Sequence, residues 1–345
     1  MSLARAIETG DLTELPSRRQ EDWRWTDVFG LVRALPPLSP SNDAPLAAGP
    51  FSALASSEIA IVNGHGEARL AVPPGDRSVV ALRFVAAADA GAHVAQFAVD
   101  LGDEAHLVLL ESYEGEAEDY LAQIDLKIAL GRSSSLERIV ITRDSDSAVS
   151  VSETEVVLGA GAKLTQTILA AGARRQRIET RVSHPGAGAA VRLDGLYLLA
   201  GKRHADITTV VTHSGVDGAT DQLVKGVVQG QARGVFQGRI VVAEGADKTD
   251  ARMGHHALIL SDRAEVDAKP ELEIYADDVI CAHGNTVGAL DEEALFYARQ
   301  RGIPDAQARA MLTQAFLDEV VDRIEHGGAR EVARAWVLEH LEAAP

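Results

Sequence analysis

The strongest constraint on the fold of this chain is a regular beat of backbone breakers. Gly131, Ser145, Gly159, Gly172, Gly186, Gly201, Gly215, Gly230, Gly245 and Ser261 follow one another at gaps of 13 to 16 residues. Short apolar, β-branched segments lie between them. Ile124, Leu126, Ile128 and Leu130 alternate with Asp125, Lys127 and Ala129, and residues 164–169, 178–182 and 207–211 have the same texture. A period of two predicts strands with one buried face. A stacked β-solenoid produces such a beat because each course reuses the same strand and corner lengths. The rival is an antiparallel meander in a sandwich or barrel, marked by Asn-Gly hairpin turns. Asn-Gly occurs once, at Asn63-Gly64, ahead of the regular part.

The texture divides the chain into residues 1–50, 51–288 and 289–345. Residues 1 to about 33 read as helical, with Trp23, Trp25, Val28, Phe29 and Val32 near helical spacing. A linker follows, Ala34 to Pro50, with five prolines that block regular structure. The middle part is the β core. In the last part, Asp291 to Arg301 reads as one helix ended by Gly302, and Pro304 suits the first turn of the next. There Ala308, Met311, Leu312, Ala315, Phe316, Val320 and Ile324 form an apolar stripe at three- and four-residue steps. Gly327-Gly328 stops it before a last helix, Ala329 to Leu341. Such a stripe is ordinary core, and a terminal helical unit of this kind also caps a solenoid and offers a groove to a partner.

Charge and composition exclude several function classes. The 345 residues carry a formal net charge of −18 and only 4% aromatics. That surface repels phosphate backbones and anionic membranes, so neither nucleic acid nor membrane is an expected partner. A single cysteine, Cys281, rules out an intrachain disulfide and suits a reducing compartment. The first twenty residues lack the apolar core of a secretory signal, and no stretch approaches the roughly 18 apolar residues of a membrane helix. A soluble, cytoplasmic protein is expected. The P-loop, the dinucleotide-binding glycine fingerprint, the nucleophile elbow and any Cys-x-x-Cys pair are all missing.

Cys281 and His283 are the leading candidates for chemistry. On a strand, residues two apart share a face and lie about 6.5 Å apart. A thiol and an imidazole so placed could share an iron site, a cluster or a persulfide-handling surface. They could equally be a buried cysteine beside a hydrogen-bonded histidine. Clusters usually need about four protein ligands, so this pair would need a second chain to complete a site. His255 and His256, adjacent on a strand, would point to opposite faces and chelate poorly. Asp277 and Asp278 face apart for the same reason. Asp278 and Glu273, or Glu271 and Glu273, could share a face, which admits an autonomous β-helix hydrolase or lyase acting on polysaccharide. Trp23 and Trp25, set among charges, suit packing or docking.

Several segments together resemble the SufB/SufD family, and its SufD branch in particular. The longest is KPELEIYADDVICAHGNTVGALDEEALFYARQRGI, Lys269 to Ile303. VFQGRIVVAEGADKTDA (Val235 to Ala251), ALILSDRAEVDAKP (Ala257 to Pro270) and EDWRWTDV (Glu21 to Val28) are similar to the same family. The resemblance implies a right-handed parallel β-helix core between helical terminal regions. It implies a non-catalytic scaffold subunit of SUF iron–sulfur cluster assembly that pairs with a SufB-type paralogue and docks a SufC-type ATPase, which would own the missing P-loop. His283 would then lie at the SufB interface with Cys281 nearby, binding metal only with the partner chain. No cofactor is expected on the chain alone, and a cluster only transiently at the interface. The stripe residues Met311, Leu312, Ala315, Phe316 and Val320 would dock the ATPase. A homodimeric structural or metal-binding protein is a competing reading, because two-fold pairing could bring two Cys281 and two His283 together; a homodimer is also expected when the SufB-type paralogue is absent.

Overall fold

A computed structural model describes residues 1–42 and 44–342. Among these residues, seventeen strands wind into a two-sided parallel solenoid. One sheet holds β1 (Ser57–Val62), β3 (Arg77–Ala86), β5 (His106–Gly115), β7 (Ser135–Arg143), β9 (Lys163–Ala170), β11 (Ala190–Leu199), β13 (Ala219–Val228), β15 (Asp250–Ile259) and β17 (Ile280–Gly288), in that spatial order. The other holds β2 (Arg69–Val72), β4 (Ala92–Leu101), β6 (Leu121–Leu130), β8 (Val149–Leu158), β10 (Arg175–His184), β12 (His204–His213), β14 (Arg233–Val242) and β16 (Glu265–Ile274). Successive strands alternate between sheets, so each breaker gap in the sequence is half a course. Arg77 pairs with His106 and His106 with Ser135, a course of 29 residues. The meander is thereby excluded: among the described residues every ladder between named strands is parallel. Asn63-Gly64 does form a tight turn, with both residues at positive φ between Val62 and His65, but it precedes the regular courses.

Alternation fills the lumen. On β5 the inward row is Leu107, Leu109, Glu111 and Tyr113, and on β11 it is Val191, Leu193, Tyr197 and Leu199 around Gly195. Burying each Leu, Ile or Val is worth about 1.5–3 kcal/mol, and the columns repeat this course after course. Corners need special backbone: Gly186 sits at φ +73, and a Cβ there would stand 2.2 Å from Val216 O.

Both terminal regions lie on the flanks. The helix α1 (Leu3–Thr9) packs Leu3, Ala6 and Ile7 on the outer side of the even sheet, beside Leu121, Val149 and Val151. Glu21 to Val32 is not the expected helix. It holds only a 3-10 turn, Glu21–Trp23, followed by turns. Long-range contacts override its helical spacing. The Trp23 ring lies under the buried Arg177 guanidinium at 4.5 Å, Arg177 bonds the Asp22 carbonyl, and Thr26 donates to Asp206. The segment is a strap across β10, β12, β14 and β16, tied at its start by Glu21–Lys269 and Asp22–Arg239.

At the other end α2 (Glu292–Gln300), α3 (Asp305–Val321) and α4 (Gly327–Glu342) form a helical unit. Leu317, Val320, Val321, Ile324, Ala333, Trp336 and Val337 pack on the outer side of the odd sheet, against Leu110, Ile139, Leu169 and Leu196. The unit covers a flank and leaves the end of the solenoid uncapped, contrary to the capping role expected. Among the described residues, no helix is long and apolar enough to cross a membrane.

Candidate functional site

The candidate site is the open last course. Among the described residues, strand β17 pairs only with β15, and β16 only with β14. In the parallel register Cys281, His283, Asn285 and Val287 stand one course beyond Ala251, Met253, His255 and Ala257. That earlier row is buried inside the solenoid. The last row therefore points at the lumen, but with no further course to cover it. His283, Asn285 and Val287 are exposed and Cys281 half-buried. From β16, Val266, Ala268, Pro270, Leu272 and Ile274 follow the inward register of Gly234, Phe236, Gly238, Ile240 and Val242. Pro270, with no N–H to give, suits an edge strand. Ile274, Tyr275 and Ile280 leave further apolar surface around the mouth. Two unpaired strand edges beside an exposed apolar row form a template for another chain.

Strand placement thus puts Cys281 and His283 on one face, about 6.6 Å apart at 3.3 Å per residue. Burial pushes the Cys281 thiol up, and the Asp250 carboxylate adds to this against the Ala251 backbone hydrogen bond. The resting group is therefore a thiol, whereas the nucleophilic and metal-binding form of cysteine is the thiolate. Among the described residues no group of three or more His, Cys, Asp or Glu side chains could hold a metal ion. A cluster that takes about four protein ligands would need more than this pair.

The other candidates separate clearly. His255 points inward and is buried, whereas His256 points outward and meets Thr286 Oγ1 at 2.7 Å. They do not converge. Burial pushes the His255 imidazole down to about 4, so it is neutral at physiological pH. Asp277 and Asp278 lie in the turn between β16 and β17, not on a strand, and Asp278 pairs with Lys248. Glu271 and Glu273 do share the outer face of β16, but both pair with Arg239, Glu271 at 3.1 Å and Glu273 at 3.4 Å. A carboxylate pair committed to one guanidinium lacks the free acid and base that glycoside hydrolysis requires.

On α3 the stripe splits. Met311 and Ala315 are exposed, and Leu312 and Phe316 half-buried, with the Lys225 ammonium 4.2 Å from the Phe316 ring centre. Val320 is wholly buried against the sheet, so it belongs to the core and not to a partner-facing surface. Sequence reasoning gave no role to Phe296 and Tyr297, which are exposed on α2. Their i, i+1 placement among charges carried no periodic signal.

Residues 84–316 match the family model described as SUF system FeS cluster assembly, SufBD core domain. Over 120 residues the chain is 44% identical to the iron-sulfur cluster assembly protein SufD of Escherichia coli, covering 35% of this chain and 28% of that one. It is 29% identical over 209 residues to an iron-sulfur cluster assembly SufBD family protein of Synechocystis, covering 61% and 46%. With the iron-sulfur cluster assembly protein SufD of Bacillus subtilis it shares 35% over 109 residues, covering 32% and 25%. The matched segments span about a quarter to a half of these relatives' own length.

Proposed function

The chain belongs to the SufB/SufD family of SUF iron–sulfur cluster assembly as a SufD-type protein, and on that premise we propose that it is a scaffold subunit completed by other chains. Its open end pairs with a SufB-type paralogue, and the exposed part of its helical unit docks a SufC-type ATPase. The observation that carries this reading is the uncovered last course. An inward-facing row holding one thiol and one imidazole sits between two unpaired strand edges. A paralogue built on the same solenoid would extend both sheets and bury Ile274, Ile280 and Val287.

In this reading His283, with Cys281 beside it, supplies part of an interfacial site at which iron and sulfur meet. The remaining ligands come from the paralogue. Association of two ATPase subunits on ATP binding moves the paired scaffolds and opens the site. Met311, Leu312, Ala315 and Phe316 form the docking stripe, without Val320. The same exposed edges favour end-on pairing of two copies when the paralogue is absent.

Co-expression with SufB-type and SufC-type partners and pull-down tests the assembly. Reconstitution of the purified complex tests the site: His283→Ala should abolish cluster build-up and leave the complex intact. A normal cluster yield from that complex would remove His283 from the site.

A further inference from the structure

A directed hydrogen-bond relay runs through the last courses to the open end. It begins at Tyr197 on β11, which is completely buried. One course further, Tyr197 is in register with Gly226. A Cβ at Gly226 would stand 1.9 Å from Tyr197 Cζ, and one at Gly234 on the opposite sheet 2.3 Å from Cε2. Two glycines therefore clear a path through the lumen. The tyrosine ring crosses the β13 course, and its hydroxyl reaches His255 Nε2 on β15 at 3.0 Å. Phe236 stacks on the His255 ring, with centroids 4.8 Å apart and planes at 11°. His255 Nδ1 in turn lies 2.7 Å from Asn285 Oδ1 on the edge strand.

The polarity of this chain follows from the groups in it. An amide oxygen only accepts, so His255 Nδ1 carries the proton and donates to Asn285. Nε2 then offers a lone pair, and Tyr197 donates to it. A buried neutral imidazole has one donor and one acceptor, and both are used. The carbonyl end of Asn285 is thus committed inward. The amide N–H₂ is what remains for the mouth, on the same face as His283 and about 6.6 Å further along. A free asparagine could turn its oxygen toward a cation. This one is held with its donors outward. Phenylalanine at 197 and leucine at 255 would fill the same lumen without fixing any direction.

We infer that Asn285 is a hydrogen-bond donor to an anionic sulfur, thiolate or sulfide, held beside His283 when the last course is covered, and that Tyr197 and His255 are its positioning residues. The inference rests on the proposed function. Hydrogen bonds to sulfur stabilise the more negative state and raise the reduction potential of a cluster. Asn285 would act on a cluster without ligating its iron.

Two measurements test this. In the isolated chain, ¹⁵N NMR of the imidazoles should show His255 protonated at Nδ1, with the Nε2 resonance shifted by the loss of its donor in Tyr197→Phe. A His255 protonated at Nε2 would overturn the relay. In the complex with SufB-type and SufC-type partners, clusters are built anaerobically from ferrous iron and sodium sulfide. Asn285→Ala and Tyr197→Phe should lower the reduction potential of the bound cluster at unchanged subunit stoichiometry, and Asn285→Asp should lower it most. An unchanged potential in Asn285→Ala, beside a cluster defect in His283→Ala, overturns this inference alone. An unchanged potential with weakened assembly would mean that Asn285 bonds partner backbone, which also overturns it. A normal cluster yield in His283→Ala overturns the proposed function and this inference with it.

Discussion

Gly226→Ala adds one methyl group to the lumen where the structure leaves least room for it. The new Cβ would stand 1.9 Å from Tyr197 Cζ, 2.1 Å from Cε2 and 2.2 Å from the hydroxyl oxygen. The ring cannot retreat toward the opposite sheet, where the Gly234 backbone already approaches it. Gly226 is not at a positive φ, so alanine there would gain about 0.4–1 kcal/mol from a stiffer unfolded chain. Overpacking costs about 1–3 kcal/mol. Displacing the Tyr197 hydroxyl leaves His255 Nε2 buried without a donor, for about 1–3 kcal/mol more. The net expectation is a loss of about 3 kcal/mol. Urea unfolding followed by far-ultraviolet circular dichroism should show a midpoint about 1 M lower at unchanged slope, taking m near 3 kcal/mol/M. In a Tyr197→Ala background the ring is gone and the same methyl helps fill a cavity. Its cost there should fall below about 1 kcal/mol, a coupling of at least 2 kcal/mol. Equal losses in both backgrounds would refute the clash and the packing of the relay.

Two further outcomes follow from other parts of the molecule. Glu153, stacked between Asp125 and Glu179 on the outer even sheet, is pushed up to about 7 by burial and then by those two carboxylates, from an ordinary 4.5. The folded state therefore holds a proton that the unfolded state releases, and stability falls as pH rises from about 4.5 through 7. Glu153→Gln should remove that loss, gaining about 1–2 kcal/mol at pH 8 after allowance for solvent screening and nothing near pH 4, as read by urea midpoints across pH. On α3, Val320→Asp would bury a charge against the sheet and cost about 3–5 kcal/mol by thermal unfolding, whereas Met311→Asp should leave the melting temperature within about 2 °C and weaken capture of the ATPase. Equal destabilisation by both would contradict the split stripe.

The sequence carried the solenoid because its constraint is local and repeated. Breakers at Gly159, Gly172 and Gly186 fall at corners of successive half-courses, and alternation sets the inward rows. It also put Cys281 and His283 on one strand face, since that relation needs only a spacing of two. Whatever depends on distant pairing was hidden. Trp23 to Val32 has helical spacing, but its fate is decided by Arg177, more than 150 residues away. The helical unit lies on the flank because Leu110, Ile139 and Leu196 give the odd sheet an apolar outer side, which a strand pattern does not distinguish from the core. Tyr197, His255 and Asn285 meet only through course register, and Gly226 looks like any strand glycine until the ring that crosses it is placed.

Hydrogen–deuterium exchange of the free chain and of its complex with a SufB-type paralogue tests the end-on pairing most directly. Backbone amides of residues 265–288, on the two edge strands, should become protected in the complex, most strongly along 280–288, while the flanking strap at 21–32 exchanges as before. If residues 280–288 exchanged in the complex as they do in the free chain, with protection appearing elsewhere, the open last course would not be the pairing surface.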